Sequence, residues 1–326
     1  MRILAVVVVL LVTGCAGLTP RLVDASVQKP SNVAVYFTVD TRDGEPVPGL
    51  TAEQFHIYED GKLVSPYESK QTILNPEIAA KHYTLLLVDM SGSVSKSGQL
   101  PALQEAVNAF TSKVGQYQET AVYAFDGRPD IFPLRNFAPG ASTVNVSGFA
   151  TQDPSTNLNG AAIKAMELLD KHLDKSPVPL RFGTLVVFTD GTDHASRATK
   201  EQLMGWVNAV PFDIFVIGVG AEINEAELSA LGRSGAALSR DPGQVGAQFD
   251  KIATRIEGYS KRFYLLSYCS PARAGDHVLT VEPFLPDGRT GETTYRFNAN
   301  GFGPNCDPNR KPSFDIKKPR TSAQRP

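Results

Sequence analysis

The residues best suited to chemistry lie in one short polar segment that follows an apolar run. The run covers residues 83–88, and the segment after it contributes one carboxylate and two hydroxyls, from Asp89, Ser91 and Ser93. A continuous apolar run that ends in a polar turn is typical of a buried parallel strand. Open α/β sheets bind ligands at the carboxyl ends of such strands. Oxygen donors without imidazole or thiolate favour Mg²⁺ or a similar hard cation over zinc.

Two further polar residues stand in comparable places later in the chain. Thr156 lies on a loop that leads into an amphipathic helix predicted at 157–173, and Asp190 ends the apolar run 184–189. The pattern Asp-x-Ser-x-Ser at 89–93 resembles the metal site, called MIDAS, of von Willebrand factor type A (VWA) domains. This resemblance implies a five-residue metal set: Asp89, Ser91, Ser93, Thr156 and Asp190. Taken singly, each residue is better explained as part of a helix cap or a strand-end turn, whereas the order of all five favours the metal site.

The resemblance also implies a binding mechanism. Three hydroxyls would hold Mg²⁺, or alternatively Mn²⁺ or Ca²⁺, while the two carboxylates balance its charge. An open coordination position would then accept a carboxylate from a partner protein. In related domains the last helix, predicted here at 242–259, shifts and changes the ligands of the ion. The expected function is therefore metal-dependent binding of a partner protein.

Enzymatic chemistry finds less support in the residues. A phosphatase of the haloacid dehalogenase type needs a second Asp two residues after Asp89, and Ser91 stands there. The sequence contains no phosphate-binding Gly-x-x-x-x-Gly-Lys loop, no Gly-x-Ser-x-Gly elbow and no His-Glu-x-x-His pair. Asp193 and His194 near the predicted metal loop leave a metal-dependent hydrolase as one alternative. A structural envelope protein with an unused metal site is the other, and we expect a protein that is not an enzyme.

The N-terminus has the features of an export signal. Arg2 precedes an apolar run at 3–12 that is too short to span a bilayer, and small residues follow it. Val12-Thr13-Gly14-Cys15 resembles a bacterial lipobox, which implies a signal peptide at 1–14 and lipidation, including palmitate, at Cys15. Because Ala16 and not Asp follows the cysteine, the resemblance implies the outer membrane, if the organism has one. A plain secretory signal cut near Ala16 or Gly17 is the alternative.

Two aperiodic segments are predicted to lack structure. Residues 15–32 are interpreted as a tether, which spans at most about 60 Å when fully extended. Residues 307–326 contain four Pro and six Lys or Arg against two Asp, and this composition predicts a disordered basic tail. Such a tail could contact anionic envelope polymer or lipid, or simply remain solvated.

The composition agrees with an exported globular protein. The 326 residues are 42% hydrophobic, enough for one medium core and one small core. A formal net charge of −2 gives no bulk attraction to nucleic acid. If Cys15 is lipidated, Cys269 and Cys306 remain as an even pair in an oxidising compartment. We expect a disulfide between them, with two free thiols or an external partner as the alternative.

Hydrophobic periodicity divides the folded part into a centre and two flanks. Strands and helices alternate over 80–260, which predicts a Rossmann-like, mostly parallel sheet with helices on both faces, the VWA architecture. Residues 33–78 and 262–306 show strand patterns punctuated by turns. Three strands alone make a poor domain, so we expect both flanks to pair into one antiparallel β-sandwich with the central domain inserted. Two separate small β-elements are the alternative.

Overall fold

A computed structural model describes residues 17–96, 98–141 and 143–314 and the backbone of 320–321. The predicted signal peptide at 1–14 and the predicted lipidation site at Cys15 lie outside the described residues. The described strands are β1 Leu18–Gln28, β2 Asn32–Thr41, β3 Phe55–Glu59, β4 Lys62–Leu63, β5 Thr72–Leu74, β6 Ala80–Asp89, β7 Glu119–Phe125, β8 Phe132–Ala138, β9 Leu180–Thr189, β10 Asp213–Val219, β11 Gly235–Ser239, β12 Phe263–Cys269, β13 Asp276–Pro283, β14 Thr293–Asn298 and β15 Arg320–Thr321. The described α-helices are α1 Gly92–Lys96, α2 Leu100–Val114, α3 Leu158–Lys175, α4 Lys200–Ala209, α5 Glu225–Leu231 and α6 Val245–Lys261.

The central domain is a mostly parallel sheet covered by helices, as predicted. Its strand order is β11-β10-β9-β6-β7-β8, and β8 at one edge runs antiparallel to β7. On one face, α2 and α6 enclose a core with residues of the sheet. On the other face, α3, α4 and α5 enclose a second core. β9 is buried along its whole length, and β6 from Tyr83 onward, because both faces of the sheet are covered.

Both flanks contribute strands to one β-sandwich. The first sheet has the order β1-β2-β12-β5 and the second β14-β13-β3-β4, so each combines strands from before and after the central domain. A common core that includes Phe37, Phe55, Tyr264 and Leu279 lies between them. The prediction of a shared sandwich is therefore confirmed, and the alternative of two separate β-elements is wrong. Cys269 and Cys306 form the expected disulfide.

The predicted tether is wrong for most of its length. Leu18–Gln28 forms β1, which pairs with β2 along ten register positions. The periodicity is obscured by a β-bulge between Leu22 and Asp24, which shifts the side chains that face the core by one position. The estimated reach of a long tether no longer applies, because the first strand begins only three residues after Cys15.

Part of the predicted disordered tail is also ordered. The backbone N–H of Ser313 donates a hydrogen bond to the Ser26 hydroxyl, and Phe314 is buried against the ring of Tyr36. Arg320–Thr321 pairs in parallel with the start of β9. Pro308 and Pro312 are buried as well, so a few apolar residues spaced along a polar segment fix it on the surface of the sandwich. Composition alone does not reveal that surface.

The sandwich packs against the amino end of the central sheet. This junction contains Tyr36, Phe182 and Phe263, together with Leu180 and Phe314. The chain enters the central domain through β6 and leaves it through α6, which is followed at once by β12. The carboxyl ends of the parallel strands therefore face away from the sandwich. Among the described residues, no helix is both long and apolar enough to cross a membrane.

Candidate metal centre

Two neighbouring parallel strands bring the predicted acidic residues together. Asp89 is the last residue of β6, and Asp190 directly follows β9. β6 and β9 pair in parallel, with Val88 opposite Phe188, so their carboxyl ends meet at one edge of the sheet. Both acids therefore lie at the place where sheets of this type bind ligands.

Asp89 is fully buried and held by hydrogen bonds to both carboxylate oxygens. Its Oδ1 accepts the backbone N–H of Ser91 at 2.9 Å. Its Oδ2 accepts the hydroxyl of Thr189 at 2.7 Å. No motif in the sequence singles out Thr189, although its place at the strand end beside Asp190 is a signal. These two donors fix the orientation of the Asp89 carboxylate from both sides.

A chain of hydroxyls links the first loop to the second acid. The hydroxyl oxygens of Ser91 and Ser93 lie 3.2 Å apart. The Ser93 hydroxyl then donates to Oδ1 of Asp190 at 2.9 Å. Four of the five predicted residues, Asp89, Ser91, Ser93 and Asp190, thus form one compact group of oxygen atoms.

Thr156, the fifth predicted residue, is buried on a loop that backbone hydrogen bonds tie to the other two loops. Its carbonyl oxygen accepts the N–H groups of His194 and Ala195, both at 2.9 Å. The carbonyl of Pro154 accepts the N–H of Gly92 at 2.9 Å. The Thr156 loop is therefore fixed against both the segment at 89–93 and the loop that follows Asp190.

Asp126, which the sequence analysis did not single out, organises the base of the Thr156 loop. Its carboxylate is fully enclosed and accepts the backbone N–H groups of Arg128 and Gln152 at 2.9 and 3.0 Å. The Arg128 side chain pairs with the same carboxylate at 2.9 Å. Arg197 donates from Nε to the carbonyl of Gly127 and pairs with Asp153 at 3.3 Å. These contacts connect the loops after β7, β8 and β9.

Two glycines allow the loops to approach one another. A Cβ added at Gly92 would lie 2.9 Å from the Pro154 side chain. A Cβ added at Gly127 would lie 2.1 Å from the Ser155 hydroxyl and 2.3 Å from the Asp153 carboxylate. All three distances are too short for a carbon atom, so a larger residue at either position must displace groups of the loop that carries Thr156.

The electrostatics of the group fit a cation. Burial raises the pKa of Asp89 to about 7, and the nearby charge of Asp190 adds to the shift, whereas hydrogen bonds from Ser91 and Thr189 oppose it. Burial also raises the pKa of Asp190, against the hydrogen bond from Ser93. Within the described part of the chain, no Lys, Arg or His forms an ion pair with either acid. Two adjacent carboxylates, one fully and one partly buried, are costly without a cationic partner, and a divalent ion would offset that cost.

The donor types agree with a hard cation. The described residues contain no cluster of three or more His, Cys, Asp or Glu side chains that could hold a metal. The candidate set instead combines two carboxylates with hydroxyls, all of them oxygen donors suited to Mg²⁺, Mn²⁺ or Ca²⁺. The residues present therefore fit the ion that the resemblance implies.

Asp193 and His194 do not form a catalytic pair in the structure. Both carboxylate oxygens of Asp193 accept backbone N–H groups, from Asn159 and Ser196, each at 3.0 Å. His194 is exposed, and its Nε2 lies 3.4 Å from the Thr192 hydroxyl. Asp193 therefore anchors the start of α3 and shapes its own loop.

Comparison with known proteins gives structural likeness at low identity. No protein-family model matches the sequence, and no curated protein matches it. The solved structure of a von Willebrand factor type A protein from Catenulispora acidiphila is similar at 10% identity and a TM-score of 0.45, over 86% of this chain and 73% of that one. Manganese-loaded TRAP protein from Plasmodium vivax is similar at 14% identity and a TM-score of 0.41, over 76% and 99%.

A bacterial surface protein also appears among the similar structures. The pilus adhesin SpaC from Lactobacillus rhamnosus GG, in its open conformation, is similar at 9% identity with a TM-score of 0.44. The likeness covers 87% of this chain but only 47% of the adhesin. The chain thus spans about half the length of that protein.

Proposed function

We propose that this protein binds a partner protein through a divalent metal ion held at the carboxyl edge of its central sheet. The observation that carries the proposal is the pair formed by the fully buried Asp89 and the partly buried Asp190, whose carboxylates are joined through a hydroxyl network and have no cationic partner within the described residues. A site with these properties is arranged for a cation and not for an ion pair within the protein.

Each residue of the group has a distinct task in this proposal. Ser91, Ser93 and Thr156 would hold Mg²⁺, or Mn²⁺ or Ca²⁺, through their hydroxyl oxygens. Asp89 and Asp190 would balance the charge of the ion. When bound, the ion supplies a strongly positive position that accepts a carboxylate of the partner. Charge-assisted contacts of this kind are directional and strong in a partly buried site.

Two features support a location in the bacterial cell envelope. The sequence at 12–15 resembles a lipobox, so we propose that Cys15 carries lipid and anchors the protein in the membrane, with the outer membrane as the expected destination. The Cys269–Cys306 disulfide is typical of an oxidising compartment. The orientation of the metal edge away from the sandwich leaves it accessible to a partner.

The contacts of His194, whose side chain is the one imidazole in the loop after Asp190, favour binding over hydrolysis. A water-activating base needs a group that orients it, and the Asp193 carboxylate is already engaged by two backbone donors. The structural alternative, a metal site without a ligand, differs from the proposal in one measurable way: it predicts no metal-dependent partner.

The proposal is tested by metal titration and by capture. Calorimetry on the chain from Ala16 onward, which contains every described residue, should show one Mg²⁺ or Mn²⁺ bound per chain and none bound to Asp89→Ala. Capture from envelope extract should then yield a protein that is retained with Mg²⁺, released by EDTA and absent with Asp89→Ala. A folded wild-type protein that binds no ion at millimolar concentration contradicts the proposal.

A further inference from the structure

The hydroxyl of Thr189 connects the two segments that carry the acidic residues of the candidate centre. Thr189 is the last residue of β9, directly before Asp190, and its side chain is fully buried. Its hydroxyl oxygen lies 2.7 Å from Oδ2 of Asp89, at the end of the neighbouring strand β6, and accepts the backbone N–H of Gly191 at 3.2 Å. One side-chain oxygen therefore contacts both the strand end at Asp89 and the turn that contains Asp190.

The single proton of this hydroxyl has one favourable acceptor. The carbonyl oxygen of Gly191 lies 3.4 Å from the Thr189 hydroxyl, whereas the Asp89 carboxylate lies at 2.7 Å. A charged acceptor at the shorter distance forms the stronger hydrogen bond, so the hydroxyl donates to Asp89. Its lone pairs then accept the N–H of Gly191. The hydroxyl is thus used as a donor towards one acid-bearing segment and as an acceptor towards the other.

Thr189 can be changed without removing a candidate ligand of the ion. The other oxygen of the Asp89 carboxylate accepts the backbone N–H of Ser91 at 2.9 Å, and Ser91 is itself a candidate ligand. Thr189 lies outside the candidate set, because its hydroxyl is already engaged by Asp89 and Gly191. A substitution at this position therefore tests the placement of the ligands separately from their presence.

A fixed set of oxygen donors favours a small ion over a larger one. Mg²⁺ requires nearly ideal octahedral ligands at about 2.0–2.1 Å, whereas Ca²⁺ accepts irregular ligands at about 2.3–2.6 Å. Groups that orient the ligands of a metal typically contribute about 10- to 100-fold to its affinity. Loosening one carboxylate of such a site should therefore weaken the binding of Mg²⁺ more than the binding of Ca²⁺.

We propose that Thr189 is a positioning residue that sets the preference of the metal centre for Mg²⁺ over Ca²⁺. It acts by holding the Asp89 carboxylate against the turn that contains Asp190, without binding the ion itself. The inference rests on the proposed function, because it takes the candidate residues at this edge of the sheet as the ligands of the ion.

Three variants of the chain from Ala16 onward separate the hydroxyl from the shape of the side chain. Thr189→Val keeps the shape and removes the hydroxyl, and Thr189→Ala removes the hydroxyl from a smaller side chain. Both should lower the Mg²⁺ affinity by about 10- to 100-fold and the Ca²⁺ affinity by less. Thr189→Ser keeps the hydroxyl and should retain the wild-type ratio of the two affinities. Calorimetric titration with each ion in turn gives this ratio.

Thr111→Val is the matched control for the loss of a buried hydroxyl. Thr111 is buried in α2, and its hydroxyl donates to the carbonyl of Val107 at 3.0 Å. Because Thr111 lies outside the candidate centre, this variant should leave both ion affinities unchanged, whatever its effect on unfolding. Thermal unfolding of every variant in EDTA shows that it is folded and measures the purely structural effect of each substitution.

The outcomes separate the two proposals. An unchanged Mg²⁺ affinity in folded Thr189→Val and Thr189→Ala overturns the positioning role and leaves the metal centre standing. An equal loss of affinity for Mg²⁺ and Ca²⁺ also overturns it, as does a loss in Thr111→Val that matches the loss in Thr189→Val. A folded wild-type chain that binds neither ion overturns the proposed function and this inference together.

Discussion

At the scale of single residues, the candidate centre is a place where folding brings like charges together. Asp89 is fully buried, and its nearest charged neighbour is the equally acidic Asp190. The Thr189 hydroxyl donates a hydrogen bond to Asp89, and the Ser93 hydroxyl donates one to Asp190, so each negative charge is partly stabilised. Neutral donors stabilise a carboxylate but do not cancel its charge, so the metal-free protein retains an unfavourable interaction that an ion can remove.

Replacing Asp89 by Asn should therefore have opposite effects with and without metal. In EDTA the variant should be about as stable as the wild type, because removal of a like charge beside Asp190 offsets the loss of one of the two hydrogen bonds that Asp89 accepts. With Mg²⁺ at about 100 times its dissociation constant, the wild type should gain about 2.7 kcal/mol, and the variant should gain nothing. Thermal unfolding measures both, and Asp130→Asn on the exposed surface is the control. A variant that Mg²⁺ stabilises as much as the wild type contradicts the assignment of Asp89.

The glycine at 127 is expected to be required for the position of Thr156. Gly127→Ala places a methyl group where the Ser155 hydroxyl and the Asp153 carboxylate lie. The loop must move, which should cost about 1–3 kcal/mol of stability and weaken Mn²⁺ binding. Gly205→Ala in α4 adds a methyl group in open space and should leave Mn²⁺ binding unchanged. Equal metal affinities of the two variants, measured by calorimetry, would show that the loop tolerates the displacement.

At the scale of elements, one buried ion pair joins α6 to the sandwich. Arg262 follows α6 and pairs with Asp40 of β2 at 2.7 Å, and both side chains are almost fully buried. Burial raises the pKa of Asp40 despite the adjacent guanidinium, which shows how strongly the site disfavours an isolated charge. The guanidinium also lies 4.5 Å from the ring centre of Tyr259. The end of α6 is therefore held in one position relative to β2.

Replacing only one residue of this ion pair should reduce the stability of the protein far more than replacing both. Arg262→Met leaves the Asp40 carboxylate buried without a partner, which should reduce the free energy of unfolding by roughly 3–5 kcal/mol. The double variant Asp40→Asn, Arg262→Met should recover a large part of that loss. Urea unfolding of the wild type, both single variants and the double variant gives the coupling energy. Strictly additive losses would mean that the two charges do not interact.

At the scale of the whole molecule, the junction between the two domains is aromatic and includes a titratable ring. His82 of β6 stacks on Phe182 at 4.8 Å and meets Phe263 edge-on at 5.0 Å. Burial lowers the pKa of His82 to about 3, and the charge of Arg262 adds to the shift. The folded protein therefore keeps this imidazole neutral under conditions in which the unfolded chain binds a proton.

This difference predicts a loss of stability in acid that originates at the junction. Below about pH 6.5 the unfolded state takes up a proton at His82 that the folded state refuses, so stability falls as the pH falls towards 3. Between pH 7 and pH 5 this contribution is about 2 kcal/mol, and His82→Phe should remove it. Phe110→Leu, in the core between α2, α6 and the central sheet and away from His82, should lower stability equally at both pH values. Denaturant unfolding at pH 7 and 5 measures the slopes; parallel slopes for wild type and His82→Phe would exclude this origin.

The sequence by itself determined the elements and the order of the candidate ligands. α3 at Leu158–Lys175 agrees within two residues with the helix predicted at 157–173, because a helix buried on one face repeats its apolar residues with its own period. The apolar run at 83–88 lies within β6, because a strand covered on both faces is continuously apolar. The sequence also indicates that the polar residues at 89–93 and at 190 belong to a turn or a site. They interrupt apolar runs at the ends of buried strands, where only a turn or a site can accommodate them.

Only the tertiary structure decided which groups surround those ligands. Asp126 and Arg197 stabilise the Thr156 loop through backbone groups distant in sequence, and no local pattern encodes such contacts. β1 escaped detection because its bulge breaks the period of two, and pairing with β2 specifies it instead. The cavity between α3, α4 and α5 likewise exists only where three helices meet. The spacing of apolar residues indicates which side of each segment is buried. Which segments contact one another depends on how the whole chain packs in three dimensions.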